Sequence, residues 1–230
     1  MKKSAILSFA ALAAFTLPAF GEDLPITAEQ QKALTPDAVL TNLMEGNKRY
    51  VAGEQTESDI KANIKAAAGG QFPQAVILSC LDSRVPVEDV FDQGIGDIFV
   101  GRVAGNVENV DQLGSMEFAA GAAGVKLVMV LGHEACGAVK GACDNVELGN
   151  LTALLKKIKP AINSVEGYED SERNSKNTEF VNKVIEANVR QTVADIRKRS
   201  EVLAGMEKDG KIKIVGAIYS LQDGSVTLLD

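Results

Sequence analysis

The chain has 230 residues, of which 46% are hydrophobic, enough apolar content for one sizeable core, so a single domain is the expectation. With 24 Lys and Arg against 31 Asp and Glu the net charge is −7, a balance that repels phosphate and argues against nucleic acid or an anionic membrane surface as a partner.

The first element in chain order is a targeting segment. Lys2 and Lys3 precede an almost wholly apolar run from Ala5 to Ala19, and Ala19-Phe20-Gly21 has the small-x-small form of a cleavage site. Residues 1–21 therefore read as a secretory signal peptide cut after Gly21. The run is short for a bilayer span of about 20 residues, and Glu22 and Asp23 follow at once. Cleavage removes two lysines and no acid, leaving −9. The mature protein, residues 22–230, is expected to be periplasmic or secreted, and nothing else in it could span a membrane.

Residues 22–70 read as a helical arm. Thr27 and Gln30 have capping-box spacing, Thr35-Pro36 places a cap before a proline, and Ala38, Leu40, Leu43, Met44 and Tyr50 fall roughly on one face. The α/β core, 71–230, follows. Ala75–Ser79, Asp97–Val100 and Val125–Leu131 are buried-strand runs, with a helix predicted from Val110 to Ala123 between the last two. A helix from Leu151 to about Ile162 with Asn150 as its cap, a polar loop over 167–177 and a long helix from Thr178 to Gly205 come next. Lys211–Tyr219 and Val226–Leu229 form a hairpin across Asp223-Gly224. This alternation predicts an α/β fold: a four-stranded, mostly parallel sheet flanked by helices and extended by an antiparallel C-terminal strand.

Three cysteines, at 80, 136 and 143, cannot all pair in an exported protein, and metal ligation of some of them accounts for the odd number better than a disulfide framework. Two clusters stand just past predicted strands: Cys80-Leu-Asp82-Ser83-Arg84 and His133-Glu-Ala-Cys136-Gly137, the latter holding the chain's single histidine. Ligands in open parallel sheets bind beyond the carboxyl ends of the strands, so neighbouring strands would bring these clusters to one point. His133 and Cys136 are expected to share a face at a helical turn. Two thiolates and one imidazole leave a fourth position open, the pattern of catalytic zinc. Charged Asp82 and Arg84 at the end of an apolar strand are explained by pairing beside a metal. Cys143 matches no ligand position and reads as a buried or free thiol.

These motifs resemble the β-class carbonic anhydrases, and the resemblance covers nearly the whole mature chain. C-x-D-S-R at Cys80–Arg84 and H-x-x-C-G at His133–Gly137 carry it. Arg102-Val-Ala-Gly105-Asn106 is close to the family's R-N-A-G-N, with Val103 in place of the first Asn. Gln71-Phe-Pro73 and the terminal Gly216-Ala-Ile-Tyr219 strand support it. The resemblance implies one Zn2+ per subunit on Cys80, His133 and Cys136, and reversible hydration of carbon dioxide to bicarbonate and a proton by attack of zinc-bound hydroxide. It assigns Asp82 to orient that hydroxide, Arg84 to hold Asp82 off the metal, and Gln71, Phe99, Ala104, Phe118 and Gly137 to the substrate cleft. It also implies a homodimer or tetramer, with the helical arm reaching across a two-fold partner. With no second histidine, the proton must leave through buffer, water, acids or tyrosines.

Some members hold bicarbonate at an inhibitory second site through a Trp, an Arg and a Tyr. Arg102 and Tyr219 match two of these, but Ile77 stands where the Trp would be, so such a lock is expected to be absent or weak, with the open form resting at neutral pH. Two other readings share the motifs: a carbon disulfide or carbonyl sulfide hydrolase, and a non-catalytic zinc-binding protein.

Overall fold

The computed structural model describes residues 24–229, so the signal peptide read at residues 1–21 lies outside the described residues. Helices α1 (Ala28–Ala33), α2 (Pro36–Ala52) and α3 (Ile60–Ala67) form the arm. The capping box at Thr27 and Gln30 is present, and Thr35 Oγ1 accepts the Ala38 amide ahead of Pro36. Val39 and Leu43 of α2 are fully buried against Ile77, Val87 and Phe91, so α2 belongs to its own subunit's core. Helix α3 instead leaves Ile60 and Ile64 exposed.

Five strands form one sheet in the order β2-β1-β3-β4-β5: β1 (Ala75–Ser79), β2 (Ile98–Arg102), β3 (Leu127–His133), β4 (Lys213–Tyr219) and β5 (Val226–Leu229). The first four pair in parallel and β5 antiparallel, as expected from the run-and-hairpin pattern. β1 and β3 are buried at every residue because helices cover both faces, which is why they read as unbroken apolar runs. Val76 and Leu78 pack with Leu113 and Met116 of α5 (Val110–Gly121) and with Val189 and Ile196 of α9 (Thr178–Arg199). Ala75 and Ile77 face α2 and the short α4 (Val87–Val90). A third apolar cluster joins α6 (Gly137–Cys143), α7 (Gly149–Leu155) and α8 (Lys159–Ser164) to Phe180 and Val184 of α9.

Three expected elements differ in detail. The helix read over 151–162 is two helices separated by a 3-10 turn at Lys156–Ile158. It starts at Gly149, and the Leu148 amide donates to Thr152 Oγ1 where Asn150 was the expected cap. Pro160, in the first turn of α8, has no amide to continue a preceding helix. The long helix stops at Arg199, because Ser200 turns extended, caps α10 (Glu201–Lys208) through the Leu203 amide, and donates to Glu117 on α5. The third strand runs two residues later than its apolar run, so His133 is its last residue.

Candidate metal centre

Cys80 follows the last residue of β1, and β1 lies beside β3, with Ser79 opposite Leu131. His133 ends β3, so both candidate ligands emerge at the carboxyl edge of two central neighbouring strands. Cys136 is the cap residue of α6. His133 and Cys136 therefore do not share a helical turn, which corrects the sequence expectation. Ala135 takes a left-handed backbone, φ 53°, and reverses the chain between strand end and helix start. That conformation costs a residue with a Cβ roughly 1–2 kcal/mol.

The three ligand atoms all lie within 4.8 Å of one another and all three residues are buried. Their arrangement fits zinc on two grounds. Cys80 Sγ and Cys136 Sγ stand 3.8 Å apart. Two sulfurs each about 2.3 Å from a tetrahedral zinc would be separated by about the same distance. His133 is 0% exposed and its Nδ1 lies 2.8 Å from the Glu134 carbonyl, which can only accept. The proton therefore sits on Nδ1, and Nε2 presents its lone pair to the cluster with no hydrogen-bond partner.

Electrostatics distinguish the two sulfurs. The hydrogen bond they share, together with burial, holds the Cys80 thiol well above its ordinary range. The same bond brings Cys136 down to about 7, with the backbone amides of Val139 and Ala138 in the first turn of α6 adding to it. Cys80 receives one such amide, that of Gly105, whose nitrogen lies 3.2 Å from Sγ. Cys143 is buried and unpaired, and burial pushes its thiol up to about 11.

Asp82 faces the cluster, with Oδ2 3.6 Å from His133 Nε2. Arg84 grips it at both oxygens: Nε donates to Oδ1 at 2.9 Å, a terminal guanidinium nitrogen to Oδ2 at 2.7 Å, and the Arg84 amide also to Oδ1. The Arg84 side-chain hydrogen bonds hold the Asp82 carboxyl far below the usual carboxylate range. The turn that carries both residues is pinned by Arg102, which donates to the carbonyls of Cys80, Asp82 and Val85.

The other site residues read from sequence are spread over several elements. Phe99 and Phe118, ring centroids 6.4 Å apart, line a cleft of about 370 Å³ with Val76, Leu78, Arg102 and Met116. None of the three candidate ligands lines it. Ala104 opens the 3-10 turn Ala104–Asn106, while Gln71 and Gly137 are exposed. Tyr219 lies 3.3 Å, hydroxyl to hydroxyl, from Tyr50. Sequence reasoning missed Asn188, 2% exposed in α9, whose Nδ2 donates to the Gly105 carbonyl. An amide in the middle of an apolar helical stripe was the available signal.

Comparison with known proteins agrees with this geometry. A family model described as carbonic anhydrase matches residues 75–226. Carbonic anhydrase 2 of Mycobacterium tuberculosis is 38% identical over 201 residues, 85% of this chain and 93% of that protein. The crystal structure of the β-carbonic anhydrase CafA of Aspergillus fumigatus superposes with a TM-score of 0.64 at 26% identity, covering 83% of this chain and 90% of that one. One of two tetrameric β-carbonic anhydrases of Sordaria macrospora shares the fold, with a TM-score of 0.63 at 20% identity, over 83% of this chain and 93% of that one.

Proposed function

The chain belongs to the β-carbonic anhydrase family of zinc enzymes, and we propose that it hydrates carbon dioxide reversibly to bicarbonate and a proton at the Cys80–His133–Cys136 cluster. The observation that carries this reading is the buried three-ligand cluster with a carboxylate locked beside it. Cys80, His133 and Cys136 would hold the metal, a three-ligand set of the kind that leaves room for water. Zinc, when bound, supplies Lewis acidity: it lowers the pKa of a coordinated water toward about 7 and stabilises charge forming on oxygen.

The chain's own groups do the rest. His133 is fixed in the tautomer that turns Nε2 inward. Asp82 stays ionised, and Oδ2, on the cluster side, accepts a hydrogen from the attacking water and so aims that water's lone pair at carbon. Arg84 occupies both carboxylate oxygens, so Asp82 is kept as an orienting acceptor and off the metal. The walls around the ligands are apolar, with Val107, Val139 and Ile158 in the same cluster, which favours a small uncharged substrate.

Arg102 is engaged by three carbonyls, and Ile77 is fully buried where a bicarbonate lock would use Trp. Both support an enzyme that rests open. Edge strand β2 is half-exposed beside Phe118, which is 56% exposed, and this supports a homodimer closed over that edge. The signal peptide read at residues 1–21 supports a periplasmic or secreted enzyme, which sequencing the N-terminus of the mature protein would check, Glu22 being the expected first residue.

Stopped-flow carbon dioxide hydration on the metal-loaded protein tests the function. Asp82→Asn should keep one zinc per chain and lose turnover by about 100-fold or more, the scale of a lost acid–base or orienting group. Full activity in Asp82→Asn, or in Cys80→Ser, would refute the assignment.

A further inference from the structure

The two cysteines of the cluster are supported unequally. Cys136 stands at the N-terminus of α6, and the backbone amides of Ala138 and Val139 in that first turn lower its thiol pKa. Cys80 follows a strand and has no helix start of its own; the amide aimed at its sulfur is that of Gly105, 3.2 Å away, from a different loop. That loop is held in an unusual place. Gly105 has φ 73° and ψ 16°, and a Cβ there would meet Ile158 Cδ1 at 2.8 Å and Ala138 Cβ at 3.3 Å. Only glycine fits, and glycine is the residue with the most backbone freedom to lose.

The restraint comes from α9. Asn188 sits among Val184, Ile185 and Val189, all buried, and is itself 2% exposed. Its Nδ2 donates to the Gly105 carbonyl at 2.8 Å. Burying an amide on an apolar helix face is unfavourable unless it is bonded, so the side chain needs a partner, and the partner it finds is the residue whose amide serves Cys80.

We propose that Asn188 is a positioning residue for the metal-binding sulfur of Cys80, acting through the Gly105 backbone. With the carbonyl of Gly105 tied to Asn188, its amide points at Sγ, draws charge from the thiolate and fixes the direction of the sulfur's lone pairs. Asn188 thus does from a distant helix for Cys80 what the first turn of α6 does for Cys136. The proposal rests on Cys80 being a zinc ligand. It adds that the tightness and electronic character of this metal site are set from α9, 108 positions along the chain.

The experiment compares the wild type with Asn188→Leu, Asn188→Asp, Thr192→Val and Cys80→Ser. Thr192 is also buried, one turn further along α9, and controls for loss of a polar group from that helix. Zinc affinity is measured by chelator competition, and the thiolate-to-metal charge-transfer band is recorded after loading with Co(II). Asn188→Leu and Asn188→Asp are expected to bind zinc about 10–100-fold more weakly, the usual effect of removing an outer-shell partner, and to shift the band. Thr192→Val should leave both unchanged. If Cys80→Ser loses zinc while Asn188→Leu keeps wild-type affinity and an unmoved band, the proposal is overturned alone. If Cys80→Ser keeps wild-type affinity, the ligand assignment fails and the proposal with it. Should the Asn188 variants not fold, the wild type loaded with an NMR-active cadmium isotope still decides. Scalar couplings from the metal to the Gly105 amide proton, and from Asn188 Nδ2 to the Gly105 carbonyl carbon, are expected, and absence of either overturns it.

Discussion

Gly132, the residue before His133, is where the close approach of α9 to the sheet is most exacting. A Cβ there would meet Val189 Cγ2 at 2.5 Å and Ile218 Cδ1 at 3.0 Å, against an ordinary carbon–carbon contact of about 3.5–4.0 Å. Val189 cannot rotate away. Its other methyl already lies over Gly216, where a Cβ would be 2.7 Å distant, and valine in a helix keeps one χ1 well. Gly132→Ala must therefore push α9 outward by about 1 Å, and overpacking of that severity costs about 3 kcal/mol. Val189→Ala removes two fully buried methyl groups, at about 0.8 kcal/mol each plus the cavity, or about 2–3 kcal/mol. In the double variant the new methyl occupies part of the vacated space. Its cost should be about 3 kcal/mol where the two single changes sum to about 5–6, a coupling of about 2–3 kcal/mol. Equilibrium urea unfolding of the four proteins at one fixed free-zinc concentration measures this. Additivity within about 0.5 kcal/mol would refute the steric argument.

Three other predictions follow from the site and its supports. His133→Ala should leave the fold intact but cut zinc content to well below one per chain by elemental analysis; a full complement of metal would remove His133 from the ligand set. Burial alone would raise the Asp92 carboxyl, but donors from Arg49 and Thr56 outweigh it and hold it below its ordinary value. A folded pKa below the unfolded one gives stability that is present above about 3.8 and lost as pH falls through the folded value. Asp92→Asn, which keeps a residue tolerant of the φ of 51° there, should cost about 1–2 kcal/mol at pH 7 and converge with the wild type below about pH 3.8; a gap independent of pH in urea unfolding would refute it. Phe118→Asp should raise the dissociation constant of the proposed dimer by about 30-fold or more, the effect of losing an interface hot spot, and identical sedimentation of variant and wild type on dilution would exclude this edge as the interface.

The sheet was legible because strands covered on both faces must be apolar throughout, and Ala75–Ser79 shows that pattern without interruption. The candidate metal ligands were legible because Cys and His are scarce here and each cluster follows such a run. What escaped depends on contacts between distant segments. Ser200 is a local cap for α10, but its hydroxyl also donates to Glu117, 83 positions earlier, a contact that the sequence does not announce. Spacing alone placed His133 and Cys136 on a helix, since a left-handed alanine is set by the strand before it and the helix after it, and no residue type announces it. Arg102 was legible as a motif residue, whereas its grip on the Cys80–Val85 carbonyls becomes visible only when β2 lies against β1.

The adjacency of β1 and β3 has a consequence for how the enzyme comes into being. Ser79 and Leu131 pair across 52 positions, with β2 and α5 made in between, so the cluster cannot assemble from any contiguous stretch of the newly made polypeptide. Closing so long a segment is entropically costly and comes late. Capture of zinc by all three donors therefore requires that β3 has been made and has docked beside β1. A chain stalled before β3 docks would offer Cys80 alone, a ligand without a site.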